Sequence, residues 1–143
     1  MITGVIEHGK SLGRRLGFPT ANILPDVPMD ALEEEARDGV YAAAIWIGDE
    51  PCPHYAMINQ GHHPTAPEGK PTIEAYLLDY SGDLYGKRVR VRYLEYLRPE
   101  RRFESLEALT EQLARDEEAT RRIVRQYAAD EPSKGDSPAN GAI

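Results

Sequence analysis

The alternation Arg88-Val89-Arg90-Val91-Arg92 constrains the fold of this chain more than any other stretch, because side chains two residues apart share one face of a strand. Arginine at every second position with valine between calls for a strand that buries one face and wets the other. The strand reads across 87–97, and its alternation slips near Tyr93-Leu94, where a bulge is expected. Three other segments have strand length. Segment 40–47 (Val-Tyr-Ala-Ala-Ala-Ile-Trp-Ile) is apolar on both faces and stops at Gly48-Asp49; 55–59 ends before Gly61; 72–80 meets a turn at Ser81-Gly82-Asp83. Short strands at this spacing predict an all-β-dominated chain closed, or nearly closed, into an antiparallel barrel.

The period changes after Arg98-Pro99. Ser105 can cap a helix, and Leu106, Leu109, Leu113, Thr120, Ile123, Val124 and Tyr127 recur at helical spacing. Glu107, Glu111, Arg115, Glu118, Arg122 and Arg125 occupy the face between, which predicts an amphipathic surface helix of about six turns. Residues 130–143 offer almost nothing to bury and read as a flexible tail, so barrel and helix are assigned to 1–129. The whole chain of 143 residues fits one domain.

Charge and cysteine usage narrow the function classes. With 24 acidic against 17 basic residues the formal net charge is −7, which disfavours non-specific binding to nucleic acid or a membrane surface. Cys52 is the single cysteine, so no intramolecular disulfide is available. No basic leader followed by an apolar run is visible, and no stretch reaches the roughly 20 apolar residues a span needs. A cytoplasmic protein without nucleic-acid or membrane partners is expected. Basic residues nonetheless gather at 10–15 and 87–92, which suits a small phosphate ligand.

Two motif matches fail on context. Gly4-Val5-Ile6-Glu7-His8-Gly9-Lys10-Ser11 satisfies the P-loop pattern, yet only three residues precede Gly4, and Gly13, Gly17 and Pro19 spoil the helix that must follow. His62-His63 beside Cys52 does not make a metal site, since neighbouring strand residues point to opposite sides and no further ligand cluster accompanies them.

Segment 8–22 carries more. Gly9, Gly13 and Gly17 fall every fourth residue, so their backbone N–H groups can curl into an anion-binding nest, with Lys10, Arg14 and Arg15 beside it. A solvated glycine-rich loop is the plainer reading. In Pro19-Thr20-Ala21-Asn22 an extended backbone puts Thr20 and Asn22 on one face, where a hydroxyl and an amide oxygen suit Mg²⁺. An ordinary strand edge with polar caps has the same pattern.

The run Gly-Arg-Arg-Leu-Gly-Phe-Pro-Thr-Ala-Asn-Ile at 13–23 resembles the PTAN signature of riboflavin kinases. The resemblance continues in order through Asp38-Gly39-Val40-Tyr41-Ala42, His63-Pro64-Thr65, Ile73-Glu74-Ala75-Tyr76-Leu77-Leu78-Asp79, Gly82-Asp83-Leu84-Tyr85-Gly86-Lys87, Leu97-Arg98-Pro99-Glu100 and Phe103-Glu104-Ser105-Leu106, covering about residues 2–127. It implies a six-stranded antiparallel barrel with a C-terminal α-helix and an ATP:riboflavin 5′-phosphotransferase activity, with riboflavin and ATP as substrates and FMN and ADP as products. It further implies that Thr20 and Asn22 serve Mg²⁺ and that Gly9, Lys10, Gly13, Arg14, Gly17 and Pro19 belong with them to the nucleotide and phosphate site. Glu74 is then the catalytic base, and Arg98 the flavin-side arginine of a closing loop.

Read from the residues alone, Glu74 is equally a strand residue facing solvent, and Arg98 equally a partner for acids of the following helix. Ile58-Asn59-Gln60-Gly61-His62-His63-Pro64 departs from the more usual Asn-Ile-Gly before Pro-Thr, which leaves contact details open. A monomeric enzyme is the expectation. Its rivals are a non-catalytic flavin- or nucleotide-binding module of the same fold and a barrel that only binds partners.

Overall fold

The arginine–valine alternation becomes one wall of a barrel: Val89 and Val91 are buried, while Arg88, Arg90 and Arg92 stay exposed. The computed structural model describes residues 1–7, 20–61 and 73–130. Six strands close in the order β1-β2-β5-β4-β3-β6, all neighbours antiparallel. They are β1 (Ile2–Glu7), β2 (Thr20–Pro25), β3 (Gly39–Ile47), β4 (His54–Gln60), β5 (Ile73–Leu78) and β6 (Arg88–Arg98). The predicted bulge is present, since the register steps from Ala42↔Glu95 to Ala43↔Tyr93 and leaves Leu94 over. A second step, between Val40↔Arg98 and Tyr41↔Tyr96, leaves Leu97 over.

Every second residue fills the interior. Ile6, Ile23, Ile45, Ile58, Ile73, Leu77, Val89 and Val91 pack there with small Ala21, Ala43, Ala56 and Ala75, as a barrel this narrow requires. One buried amide joins them. Gln60 donates from Nε2 to the Ala36 carbonyl at 2.9 Å and accepts at Oε1 from the Tyr93 hydroxyl at 2.7 Å, so it is satisfied.

Helix α1 (Met29–Glu35) was not expected. It starts after Pro28 with no side-chain cap and lies in an acidic stretch, yet Met29 and Leu32 join the core. Helix α2 (Leu106–Asp130) was expected, and the Ser105 Oγ caps it by accepting the Ala108 N–H at 3.1 Å. It packs on β4, β3 and β6 through buried Leu113, Asp116 and Thr120. Leu106, assigned to the apolar face, is instead 50 % exposed, because it lies in the first turn, outside the contact with the barrel. Arg121 ties the helix to the end of β5 by two bonds to Asp79, 2.9 and 3.0 Å, while also holding Glu117. No helix among the described residues is long and apolar enough to cross a membrane. The tail assigned to 130–143 lies outside the described residues beyond Asp130, the last residue of α2.

Strand pairing adds a reason to reject the P-loop match. Gly4 to Glu7 are themselves strand, in an antiparallel ladder with β2 and β6. Gly4 is required by crowding: a Cβ there would sit 2.5 Å from the Leu24 carbonyl oxygen and 2.9 Å from Ile23 Cγ2. Gly4→Ala is therefore expected to destabilise the barrel by about 1–3 kcal/mol, as overpacking does, in chemical denaturation. An unchanged midpoint would mean that β1 and β2 separate at no cost.

Candidate active site

The pairing registers line up one residue from each of five strands along a single rung: Arg98 of β6, Val40 of β3, Asn59 of β4, Glu74 of β5 and Asn22 of β2. Their chain neighbours Tyr41, Ile58, Ile73, Ala75, Ala21 and Ile23 point into the core, so the rung lies on the outer face of the barrel. The Thr20 backbone lies two residues before Asn22 on β2, paired with Tyr76. Interior residues set the positions of the polar ones without touching the chemistry.

Glu74 is only 7 % exposed, which excludes the solvent-facing reading. The Tyr76 hydroxyl donates to its Oε1 at 2.9 Å. Burial, then the Glu74 charge, then this hydrogen bond push the Tyr76 phenol far above its ordinary range, so Tyr76 remains a donor at any working pH. On one flank of Glu74, Asn22 is 4 % exposed, and its Oδ1 is buried without a hydrogen-bond partner. On the other flank, Asn59 Oδ1 is likewise buried and unpartnered. A carboxylate between two unused amide oxygens is a concentration of hard acceptors, suited to a cation or to hydroxyl donors.

The rung opens on a cleft of about 600 Å³ between the barrel and α2. Glu74, Tyr76 and Asn59 line one side; Phe103, Leu109 and Leu113 supply apolar surface; Arg98, Arg101 and Arg102 supply positive charge. Arg98 grips Asp116 of α2, with Nη2 to Oδ2 at 2.8 Å and Nε 3.1 Å from both carboxylate oxygens. The pairing with a helix acid is thus the arrangement present, and it lies on the cleft wall. Gln112 adds a bond to Asp116 at 2.9 Å and accepts one from Arg101 at 3.1 Å, linking the 99–103 segment to the helix.

Of the residues singled out in the sequence, Asn22, Glu74 and Arg98 share the rung, with Thr20 beside it in the strand backbone. Gly9, Lys10, Gly13, Arg14, Gly17 and Pro19 lie outside the described residues, as do the Thr20 side chain and His62-His63. An Mg²⁺ ion fits what is described, because Asn22 offers a buried oxygen with no hydrogen-bond partner among the described residues. Sequence reading missed Asn59, Tyr76 and Asp116. Asp116 had left a signal: it lies three residues after Leu113 and four before Thr120, a charge on the apolar stripe.

Residues 1–124 match the family described as Flavokinase: Riboflavin kinase. The chain is 38 % identical over 117 residues to the RNA-binding riboflavin kinase RibR of Bacillus subtilis, covering 81 % of this chain and 47 % of that protein. It is 41 % identical over 117 residues to the bifunctional riboflavin kinase/FMN adenylyltransferase of Escherichia coli, covering 81 % of this chain and 35 % of that one. It therefore spans between a third and a half of the length of these relatives. The crystal structure of riboflavin kinase from Trypanosoma brucei superposes with a TM-score of 0.63 at 27 % identity, covering 99 % of this chain and 91 % of the other. Since the matched segment runs through all six strands and most of the long helix, the chain belongs to the riboflavin kinase family.

Proposed function

We propose that this chain transfers the γ-phosphate of ATP to the 5′-hydroxyl of riboflavin, giving FMN and ADP. The observation that carries the reading is Glu74, a buried carboxylate held by Tyr76 on the wall of a cleft lined by apolar side chains, arginines and further carboxylates. Burying a carboxylate is costly unless it is satisfied or serves the chemistry. In the reaction the riboflavin O5′ forms a bond to the γ-phosphorus while the bond from that phosphorus to the bridging oxygen of the β-phosphate breaks. The hydroxyl proton passes to Glu74, and ADP leaves.

Asn22, with Thr20, would hold Mg²⁺, which when bound neutralises phosphate charge. Gly9, Lys10, Gly13, Arg14, Gly17 and Pro19 are assigned to the phosphates. Arg98 is assigned to the flavin side of the cleft, its guanidinium plane fixed by Asp116. Incubation with riboflavin, ATP and Mg²⁺, with flavins separated over time, tests the reading. FMN should accumulate; riboflavin binding without FMN would leave a binding module in its place.

Asn22→Ala is expected to weaken Mg-nucleotide binding by on the order of 10-fold or more, the scale of lost metal-site contacts, with little change in melting temperature. Among the described residues no hydrogen bond reaches Asn22 Oδ1, so the truncation removes none there. Nucleotide titration with and without Mg²⁺ is the measurement. Equal affinities in the variant and the parent would remove Asn22 from the metal.

A further inference from the structure

We infer that Asn59 is a substrate-binding residue that holds the hydroxyl-bearing chain of the acceptor, on the side of Glu74 away from the metal and phosphates. The inference rests on the reading of the cleft as a riboflavin site and adds an order to it. Along the rung the sequence of groups is Asn22, Glu74, Asn59. Glu74 and Asn59 line the cleft together, whereas Asn22 lies beyond Glu74 on β2. A substrate whose terminal hydroxyl meets Glu74 in this cleft has Asn59 one strand away, on the side opposite Asn22.

Two adjacent amides on β4 make the argument. Gln60 points inward and is saturated by Ala36, Asp38 and Tyr93. Asn59 points outward with its Oδ1 buried and unpartnered. An unmet buried acceptor costs about 1–3 kcal/mol, and a leucine of similar size would avoid that cost. A polar group that lowers stability on a cleft wall is accounted for if the ligand supplies its partner. Directly opposed strand residues have Cβ atoms about 4.5–5.5 Å apart, so one short polyol chain can reach both side chains. A hydroxyl both donates and accepts, so it satisfies the Asn59 amide whichever end it meets.

The test is Asn59→Leu in the full chain, with Asn59→Ala as a second variant should leucine not be accommodated. Riboflavin binding is followed by flavin fluorescence, and Mg-ATP binding and thermal melting are followed alongside. The expected result is a melting temperature equal to or above that of the parent, an Mg-ATP affinity unchanged, and riboflavin binding weaker by about 10-fold, as for one lost hydrogen bond. A flavin carrying a 5-hydroxypentyl chain, which keeps the terminal hydroxyl and lacks the secondary ones, should bind parent and variant equally.

Riboflavin affinity within about two-fold of the parent in a folded variant would overturn the assignment, the margin being well below one hydrogen bond. An equal loss for riboflavin and the hydroxypentyl flavin would overturn it too, by making Asn59 a matter of shape. The two readings fail separately: riboflavin bound through Asn59 but never phosphorylated refutes the kinase reading alone. FMN formed at an unaltered riboflavin KM in Asn59→Leu refutes the present one alone.

Discussion

Glu74→Gln is expected to lower FMN formation by about 10²–10⁴-fold, the range for removal of a general base, while riboflavin still binds. Glutamine keeps the carbonyl oxygen that accepts from the Tyr76 hydroxyl at 2.9 Å, so the local hydrogen bond and the outer rung survive. Only the ability to take a proton is lost. Because the side chain is buried in a strand paired on both edges, a parallel measurement of melting temperature separates chemistry from folding. Turnover within about three-fold of the parent, far above that range, would show that the 5′-hydroxyl loses its proton elsewhere.

The second large effect lies at the joint between barrel and helix. Asp116→Ala leaves the Arg98 guanidinium, 15 % exposed, without its bidentate partner, and removal of one member of a buried pair costs about 3–5 kcal/mol. The double variant Arg98→Met with Asp116→Leu removes both charges and is expected to recover most of that loss, since an apolar replacement of a buried pair is often neutral or better. Urea denaturation of the two variants and the parent reads both outcomes. If Arg98 also serves the flavin, the double variant should fold well and still bind riboflavin poorly. A double variant as unstable as Asp116→Ala would make the loss one of packing, with the ion pair irrelevant.

Much of this architecture was legible in the residues, and the parts that were not share a cause. The β6 alternation, its slip at Leu94 and the Ser105 cap are all local signals, written within a few positions of where they act. Helix α1 has only a weak entry signal, because Pro28 offers no side-chain cap and Asp30 is the one acid in its first turn. The site was half legible. That Thr20 and Asn22 share a face follows from strand period alone. That Asn59 stands beside Glu74 depends on how β4 and β5 are registered, which no feature of either strand announces. Asp116 required knowing that Arg98 would end β6 opposite the middle of α2.

The closure of the barrel also bears on how the chain acquires its shape. The seam joins β1 to β6, so Ile2 must find Val91 across nearly the whole length of the barrel sequence. Contacts of such separation pay their loop entropy before they are rewarded, which places folding among slow, non-local topologies. During synthesis, β3 and β1 each present an open edge until β6 emerges to pair with both. Exposed edges of this kind invite pairing with other chains. Lesions in β6 are thus expected to lower the yield of intact protein more than equal lesions in α2, which docks on a barrel already shut.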